Sequence, residues 1–273
     1  MAVVVKQGDH LQFPVVHVEG QGNLLAVSTS YKRVYRPPVG GKRGVVTEFS
    51  AGSRRRLLRL IARLEKTRTT FITLTYPAEF PEPRVAKEHL RALFERIRRR
   101  VPEASGIWRL ELQERGAPHF HLLMFNLPYI SFETLRSWWQ EIIGVIDGQP
   151  LFVRIELVRS WRGVMSYASK YVAKRSEAGQ DSLFNVVAYL HAVGAVGRWW
   201  GVFQAKALPF AESFKQSVSV VTMDVMRKIK SVMHDLWHGV DVRSYNGQVM
   251  FADNALTFAL LLYSIAQEYG TYE

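Results

Sequence analysis

Residues 108–125 read WRLELQERGAPHFHLLMF, which is the pattern of a β-hairpin. Two apolar segments flank a short connection that contains glycine. His119 and His121 are two positions apart in the second segment, so in a strand both side chains point to one face. If the turn centres on Arg115, Glu111 lies opposite His119 and brings a carboxylate beside two imidazoles. Two histidines and one carboxylate are a suitable ligand set for a divalent metal ion.

The histidine pair also has a simpler explanation. A His-x-His pair in a strand is most often a surface pair or a pair of hydrogen-bonded core side chains. The neighbouring residues, Phe120 and 122–125, are apolar, so we expect a buried or half-buried strand in which imidazoles need partners. The hairpin alone therefore leaves the metal site open.

The composition favours a folded protein with a polyanionic partner. The chain has 273 residues, of which 48% are hydrophobic, and its 36 Lys and Arg against 24 Asp and Glu give a net charge of +12. This length accommodates one large domain or two modest ones. The positive charge favours nucleic acid first and an anionic membrane second, over a basic surface that has no partner.

The sequence also limits the compartment. There is no cysteine, which excludes disulfides and thiolate metal ligands. Residues 1–20 lack the pattern of a signal peptide. The longest apolar run, residues 255–266, is shorter than the roughly 20 residues that span a bilayer. We therefore expect a soluble protein in the cytoplasm, with no membrane partner.

Hydrophobic periodicity predicts an α+β fold for the central part of the chain. The predicted elements are a strand at 71–76, a helix at 84–100, hairpin strands at 106–113 and 118–125, a helix at 131–143 and a strand at 151–158. This β-α-β-β-α-β order is the ferredoxin-like arrangement, an antiparallel sheet with helices on one face. A further helix is predicted at 163–174.

The segments around this core predict two additions. We expect an N-terminal arm at 1–50, a main domain at 51–210 and a small, mostly helical C-terminal unit at 211–273. An arginine-rich helix is predicted at 53–66. It is either an ordinary amphipathic helix or a contact to DNA phosphates, and its sequence does not decide between them.

The helix predicted at 163–174 contains the pattern YASKYVAK. Tyr167 and Tyr171 are four positions apart and therefore share one helix face, while Lys170 and Lys174 share an adjacent face. For this helix taken alone, packed tyrosines with wet hydroxyls and solvated lysines are the simpler explanation.

Three separated motifs together resemble motifs I, II and III of the HUH endonuclease superfamily. They are FITLT at 71–75, PHFHLL at 118–123 and YASKYVAK at 167–174, and the segments 111–119 and 197–201 also look like parts of these proteins. Within the superfamily the chain looks like the rolling-circle replication initiators of single-stranded DNA phages and small plasmids. The resemblance covers roughly residues 68–202.

The resemblance implies metal-dependent nicking and joining of single-stranded DNA. A divalent ion, Mn²⁺ or Mg²⁺, would be held by His119, His121 and Glu111 and would polarise the scissile phosphate. Tyr171 is expected to attack first and Tyr167 second, leaving a 3′-hydroxyl primer and a 5′-phosphotyrosine.

The resemblance further implies the surroundings of the reacting bond and the partners. Lys170 and Lys174 would stabilise charge on the phosphate or the phenolate. The side chains expected to contact DNA are Thr73, Thr75, Arg109, Arg115 and Arg198. The expected partners are single-stranded or stem-loop origin DNA, a host helicase and a host polymerase, because no phosphate-loop motif of a helicase is present in the sequence.

Two other functions remain open at this stage. A transposase or a conjugative relaxase would use the same chemistry on a different DNA substrate. A non-catalytic nucleic-acid-binding protein with an RRM-like sheet belongs to another class, and it predicts DNA binding with no metal dependence and no covalent adduct.

Overall fold

The computed structural model describes residues 5–6, 11–12, 14–30, 49–65, 67–145, 151–158, 196–239 and 248–270. The chain forms two compact units. Residues 1–41, 59–65 and 210–273 make up the terminal unit, and residues 42–58 and 66–209 make up the central unit.

The described elements follow one another along the chain as short strands and helices. In order they are β1 (Val5–Lys6), β2 (Leu11–Gln12), β3 (Val15–Gln21), β4 (Leu24–Ser30), α1 (Ala51–Ala62), β5 (Thr69–Leu74), α2 (Pro83–Arg100), β6 (Ser105–Leu112), β7 (Pro118–Phe125), α3 (Phe132–Ile143), β8 (Val153–Val158), β9 (Trp200–Phe203), a 3₁₀ turn (Ala205–Ala207), β10 (Ser213–Ser219), α4 (Asp224–Gly239), β11 (Val249–Phe251) and α5 (Ala255–Gln267). Among these described helices, none is long and apolar enough to cross a membrane.

The sheet of the central unit confirms the predicted α+β fold. Its strands are antiparallel in the order β8-β5-β7-β6-β9. If β5, β6, β7 and β8 are counted as the four strands of the β-α-β-β-α-β unit, their order is the fourth, first, third and second, which is the ferredoxin-like order. α2 and α3 pack on one face of this sheet, where Ile72, Leu110, Phe120 and Leu122 are completely buried.

The hairpin that was predicted around Arg115 is present, and its register is confirmed. β6 and β7 pair so that Glu111 lies opposite His119. Gly116 closes the turn by donating from its backbone N–H to the carbonyl of Gln113 at 2.7 Å. Its φ of 83° lies in the left-handed region that favours glycine.

The two helices of the central unit begin and end where their sequences contain capping signals. α2 has Pro83 in its first turn, and three arginines, 98–100, lie in its last turn, where positive charge suits the helix dipole. α3 begins after Ser131, whose hydroxyl accepts a hydrogen bond from the backbone N–H of Thr134. It ends at Gly144, which has a left-handed conformation.

A fifth strand, β9, extends the central sheet beyond the predicted four. It pairs with β6, and Gly201 faces the indole of Trp108 so closely that a Cβ there would lie 2.8 Å from the ring. The sequence did not predict this strand because its pattern, two tryptophans followed by a glycine, lacks the alternation of a half-buried strand.

The terminal unit contains a second antiparallel sheet, with the strand order β10-β3-β4-β11. Its buried side chains, which include Val16, Val18 and Leu25, form a core with α4 and α5. Strands from the segments 1–50 and 211–273 thus share one sheet, although the sequence predicted an arm and a mostly helical unit. Such pairing joins residues about 200 positions apart, and no local sequence pattern indicates it.

Candidate active site

One row of side chains crosses the face of the central sheet opposite α2 and α3, which we call the site face. The strand register places Trp200, Arg109, His121, Thr73 and Arg154 side by side across the five strands. Alternation along each strand explains the row, because the neighbours of these residues point into the helix-side core.

The predicted metal ligands converge on this face. Nε2 of His121 donates a hydrogen bond to Oε2 of Glu111 at 2.9 Å. The ring centroids of His119 and His121 are 4.4 Å apart, with the rings nearly perpendicular. Glu111 lies opposite His119 in the register but bonds diagonally to His121. The structure therefore brings together all three residues that the sequence singled out.

The carboxylate of Glu111 is held in its charged form. Burial by itself would raise its pKa, but the hydrogen bond from His121 and the charge of Arg109 outweigh this effect and lower it. Nη2 of Arg109 lies 2.7 Å from Oε1 of Glu111. Arg109, predicted as a DNA contact, thus forms an ion pair with one oxygen of Glu111 while His121 bonds the other.

His119 is the neutral member of the cluster. Burial, followed by the proximity of His121, lowers its pKa to about 4, although the charge of Glu111 opposes this change. At neutral pH the ring is therefore uncharged, which is the form that binds metals. Its Nδ1 is buried and has no hydrogen-bond partner among the described residues.

The orientation of His121 is fixed from two sides. The hydroxyl of Thr73 lies 3.5 Å from its Nδ1, and the ring of Phe71 stacks on the imidazole with centroids 5.7 Å apart. Since Nε2 donates to Glu111, we assign the proton to Nε2 and an acceptor role to Nδ1. Thr73, predicted as part of a DNA floor, is a buried neighbour of this histidine.

The donor set fits a divalent ion chemically, but the side chains as they stand are not arranged as ligands. No group of three or more His, Asp or Glu side chains in the described part of the chain is positioned to hold a metal ion. Nε2 of His121 and the carboxylate of Glu111 bond each other, so both would have to turn toward an ion. In favour of the fit are the buried, unpartnered Nδ1 of His119 and the charged carboxylate beside it.

Two predicted DNA contacts are engaged in structural bonds. The guanidinium of Arg115 donates to the backbone carbonyls of Tyr76, Pro77 and Ala78, at 2.7, 2.6 and 3.2 Å. The hydroxyl of Thr75 donates to a backbone carbonyl next to β8. Both side chains hold the loop that follows β5, and a contact to DNA stays a prediction for each.

The remaining predicted residues divide into two groups. Arg198 is exposed, just before β9. The proposed nucleophiles and their lysine neighbours, which are Tyr167, Tyr171, Lys170 and Lys174, lie outside the described residues.

Sequence reasoning missed several residues of the row. Arg154 faces Thr73 across β5 and β8, and its charge is paired with Glu156 two positions along the strand. Trp200 lies opposite Arg109 on the unpredicted strand β9. The alternation of β8 contained the signal for Arg154, because residues 154 and 156 have the opposite parity to the apolar positions. No comparable signal marked Trp200.

The part of the chain that carries this cluster is similar to known replication proteins. Residues 69–176 match the model of a family described as replication-associated proteins of the ORF2 type. The chain is 25% identical over 168 residues to a replication-associated protein of Pseudomonas phage Pf3, and the match covers 59% of each chain. The chain thus spans about 59% of the length of this curated relative.

Among solved structures, the hypothetical protein ORF119 from Sulfolobus islandicus rod-shaped virus 1 is 17% identical to the chain. The alignment covers 45% of this chain and 94% of that one, with a TM-score of 0.32. The family match includes the strands that carry His119, His121 and Glu111. The sequence comparisons together support a replication-associated protein of the phage type.

Proposed function

We propose that the protein is a rolling-circle replication initiator that nicks and rejoins single-stranded DNA through a 5′-phosphotyrosine. The observation that carries this proposal is the convergence of His119, His121 and Glu111 on one face of a ferredoxin-like sheet. All three lie inside the segment that is similar to replication-associated proteins. A buried cluster of this composition has a chemical purpose there that core packing does not require.

The reaction is a transesterification at phosphorus. The phenolic oxygen of Tyr171 attacks the scissile phosphate, the bond from phosphorus to the 3′ oxygen breaks, and that oxygen gains a proton to become a 3′-hydroxyl. The phenol loses one proton, so the proton count balances. One phosphodiester replaces another, and the tyrosine ester therefore retains the energy to join strands later without ATP. Tyr167 is the proposed second nucleophile for that step.

The described residues prepare the phosphate site. A divalent ion, Mn²⁺ or Mg²⁺, bound by His119, His121 and Glu111 supplies Lewis-acid polarisation of a phosphate oxygen. Thr73 and Phe71 orient the ring of His121. Burial keeps His119 uncharged and available as a donor, and the neighbouring positive charges keep Glu111 ionised.

The test uses single-stranded and stem-loop oligonucleotides tiled across the replicon that encodes the chain, with Mn²⁺ or Mg²⁺ present. Because the phosphate stays on tyrosine, a 3′-end label should become attached to the protein and survive denaturation. A 5′-end label should appear in a shorter, free product with a 3′-hydroxyl that a polymerase extends. Binding without any adduct would reject nicking and favour the non-catalytic binding protein.

Matched variants assign the groups. Tyr171→Phe should abolish the first adduct, and Tyr167→Phe should spare it, while Tyr129→Phe is a control at an exposed tyrosine. His119→Ala combined with His121→Ala should remove metal-dependent cleavage. The control is His234→Ala with His238→Ala, an exposed histidine pair on α4. Normal cutting by the 119/121 double variant would place the metal site elsewhere.

A further inference from the structure

Helix α1 begins on the site face of the central unit. Nε1 of Trp200 donates a hydrogen bond at 2.9 Å to the hydroxyl of Ser53, in the first turn of α1. The ring of Phe49, just before the helix, lies 4.9 Å from the guanidinium carbon of Arg109. Trp200 and Arg109 belong to the row that contains His121. The start of α1 therefore lies beside β9, two strand spacings or about 10 Å from the strand of the histidines.

Two arginines occupy the exposed side of this end of the helix. Arg55 and Arg56 are exposed, and neither forms an ion pair with an acidic side chain in the described part of the chain. Arg56 follows Ser53 by three positions, so these two side chains are neighbours on the helix surface. Arg54 has a different role, because its guanidinium donates to the carbonyl of Phe49 at 3.0 Å and holds the helix start.

We propose that Arg55 and Arg56 form a binding site for the phosphates of the single-stranded DNA that flanks the nicked bond on the β9 side. This inference rests on the proposed function, since the flank is defined by the scissile phosphate. Both residues precede the segment 69–176, so the family match does not assign them a role. The contacts of Phe49 and Ser53 fix the helix at the edge of the site, and the arginines are thereby held where a strand leaving the cluster passes.

Arginine suits this role chemically. A guanidinium has five N–H donors in a planar fork and can bind two phosphate oxygens at once. Each contact to a single-stranded phosphate releases counterions and contributes about 0.7 to the slope of log K against log salt. Two such contacts predict a contribution of about 1.4 to that slope.

The decisive comparison is between two double variants that remove the same charge. Arg55→Ala with Arg56→Ala alters the proposed site. Arg91→Ala with Arg99→Ala removes two exposed arginines from α2, which packs on the opposite face of the sheet. Binding of the full chain is measured by fluorescence anisotropy over a range of salt concentrations. One oligonucleotide extends well past the nick site on both sides, and a second ends next to it.

The expected result is specific to the position of the charge. The Arg55/Arg56 variant should bind the long oligonucleotide about tenfold more weakly at low salt, with a slope smaller by about 1.4. It should bind the short oligonucleotide like the unaltered protein and form the adduct at an unchanged rate when DNA is saturating. Arg55→Lys with Arg56→Lys should keep most of the salt slope, which shows that the fold is intact.

Three outcomes overturn one proposal or the other. Equal weakening by both double variants would mean that only net charge matters, and unaltered binding by the Arg55/Arg56 variant would reject the phosphate site. An unaltered protein that binds DNA through Arg55 and Arg56 but forms no adduct would reject the nicking chemistry and retain the phosphate site.

Discussion

Glu111 lies directly opposite His119 across the hairpin, yet its carboxylate accepts its hydrogen bond from His121. Arg109 binds the other carboxylate oxygen. This diagonal arrangement leaves Nδ1 of His119 without a hydrogen-bond partner among the described residues, and burial keeps the ring uncharged. The choice that Glu111 makes between the two histidines therefore determines which imidazole is available as a donor.

The charge of Glu111 should be essential for cleavage. Glu111→Gln keeps the size of the side chain but removes the charge that pairs with Arg109 and the proposed metal charge. We expect the single-turnover rate of adduct formation to fall roughly tenfold to a hundredfold or more. Glu114→Gln, at an exposed carboxylate in the turn, is the matched control and should react normally. Equal rates in the two variants would contradict the assignment of Glu111.

Arg115 should act on stability more than on DNA affinity. Arg115→Ala removes hydrogen bonds to the carbonyls of residues 76–78, and charge-assisted bonds of this kind predict a loss of about 1–3 kcal/mol in the free energy of unfolding. Urea unfolding measures this loss, and the salt slope of DNA binding should stay unchanged. A smaller slope with normal stability would instead support the DNA contact that the sequence predicts.

Gly201 should tolerate no side chain, because its α-carbon faces the indole of Trp108. A Cβ at this position would lie 2.8 Å from three ring atoms, so Gly201→Ala must displace either the indole or β9. Overpacking of this kind predicts a loss of about 1–3 kcal/mol in the free energy of unfolding.

The control for that substitution is Gly52→Ala in α1. Its Cβ would meet only the end of the Arg56 side chain, at 3.6 Å, and alanine favours helix by up to about 1 kcal/mol. Thermal or urea unfolding of both variants should therefore show opposite signs. A neutral Gly201→Ala variant would mean that β9 is not packed against Trp108 as described.

Lys87 should make the stability of the protein depend on pH in alkaline solution. Burial lowers its pKa from 10.5 to about 8, and its ammonium donates to the carbonyl of Val196. Between pH 8 and 10.5 the unfolded chain holds a proton that the folded chain has lost, so this group makes the free energy of unfolding rise with pH. Below pH 8 both forms are protonated, and the cost of burying the charge is present in full.

Lys87→Met should lack that increase. The measurement is the difference in unfolding free energy between the variant and the unaltered protein at pH 8 and at pH 10.5, which cancels the titration of other groups. Lys228→Met, at an exposed lysine on α4, is the control and should show no change in this difference. A constant difference for Lys87→Met would show that the lysine titrates normally in the folded protein.

Local sequence was sufficient for the elements of the central unit. The helices at 83–100 and 132–143 and the hairpin strands lie within a residue or two of their predicted bounds, because periodicity and capping residues act over one or two turns. The register of Glu111 and His119 was also predictable, since the length of a hairpin turn fixes which residues face each other.

Contacts between distant segments were not predictable in this way. The shared sheet of the two chain ends, the β9 edge strand and the position of α1 beside Trp200 all depend on pairings that many other segments are equally able to make. The structural role of Arg115 belongs to the same class, because the carbonyls that it binds are nearly 40 positions away.

The amino-acid sequence by itself determined the order of the central elements, the hairpin register and the presence of two histidines and a glutamate on one face. Only the tertiary structure decided that Glu111 bonds His121, that burial leaves His119 neutral, and that arginines of α1 lie at the edge of this cluster. The physical reason is that backbone pattern and turn length are local properties. The partner of a buried charge, and the cost of burying it, depend on every segment that packs around it.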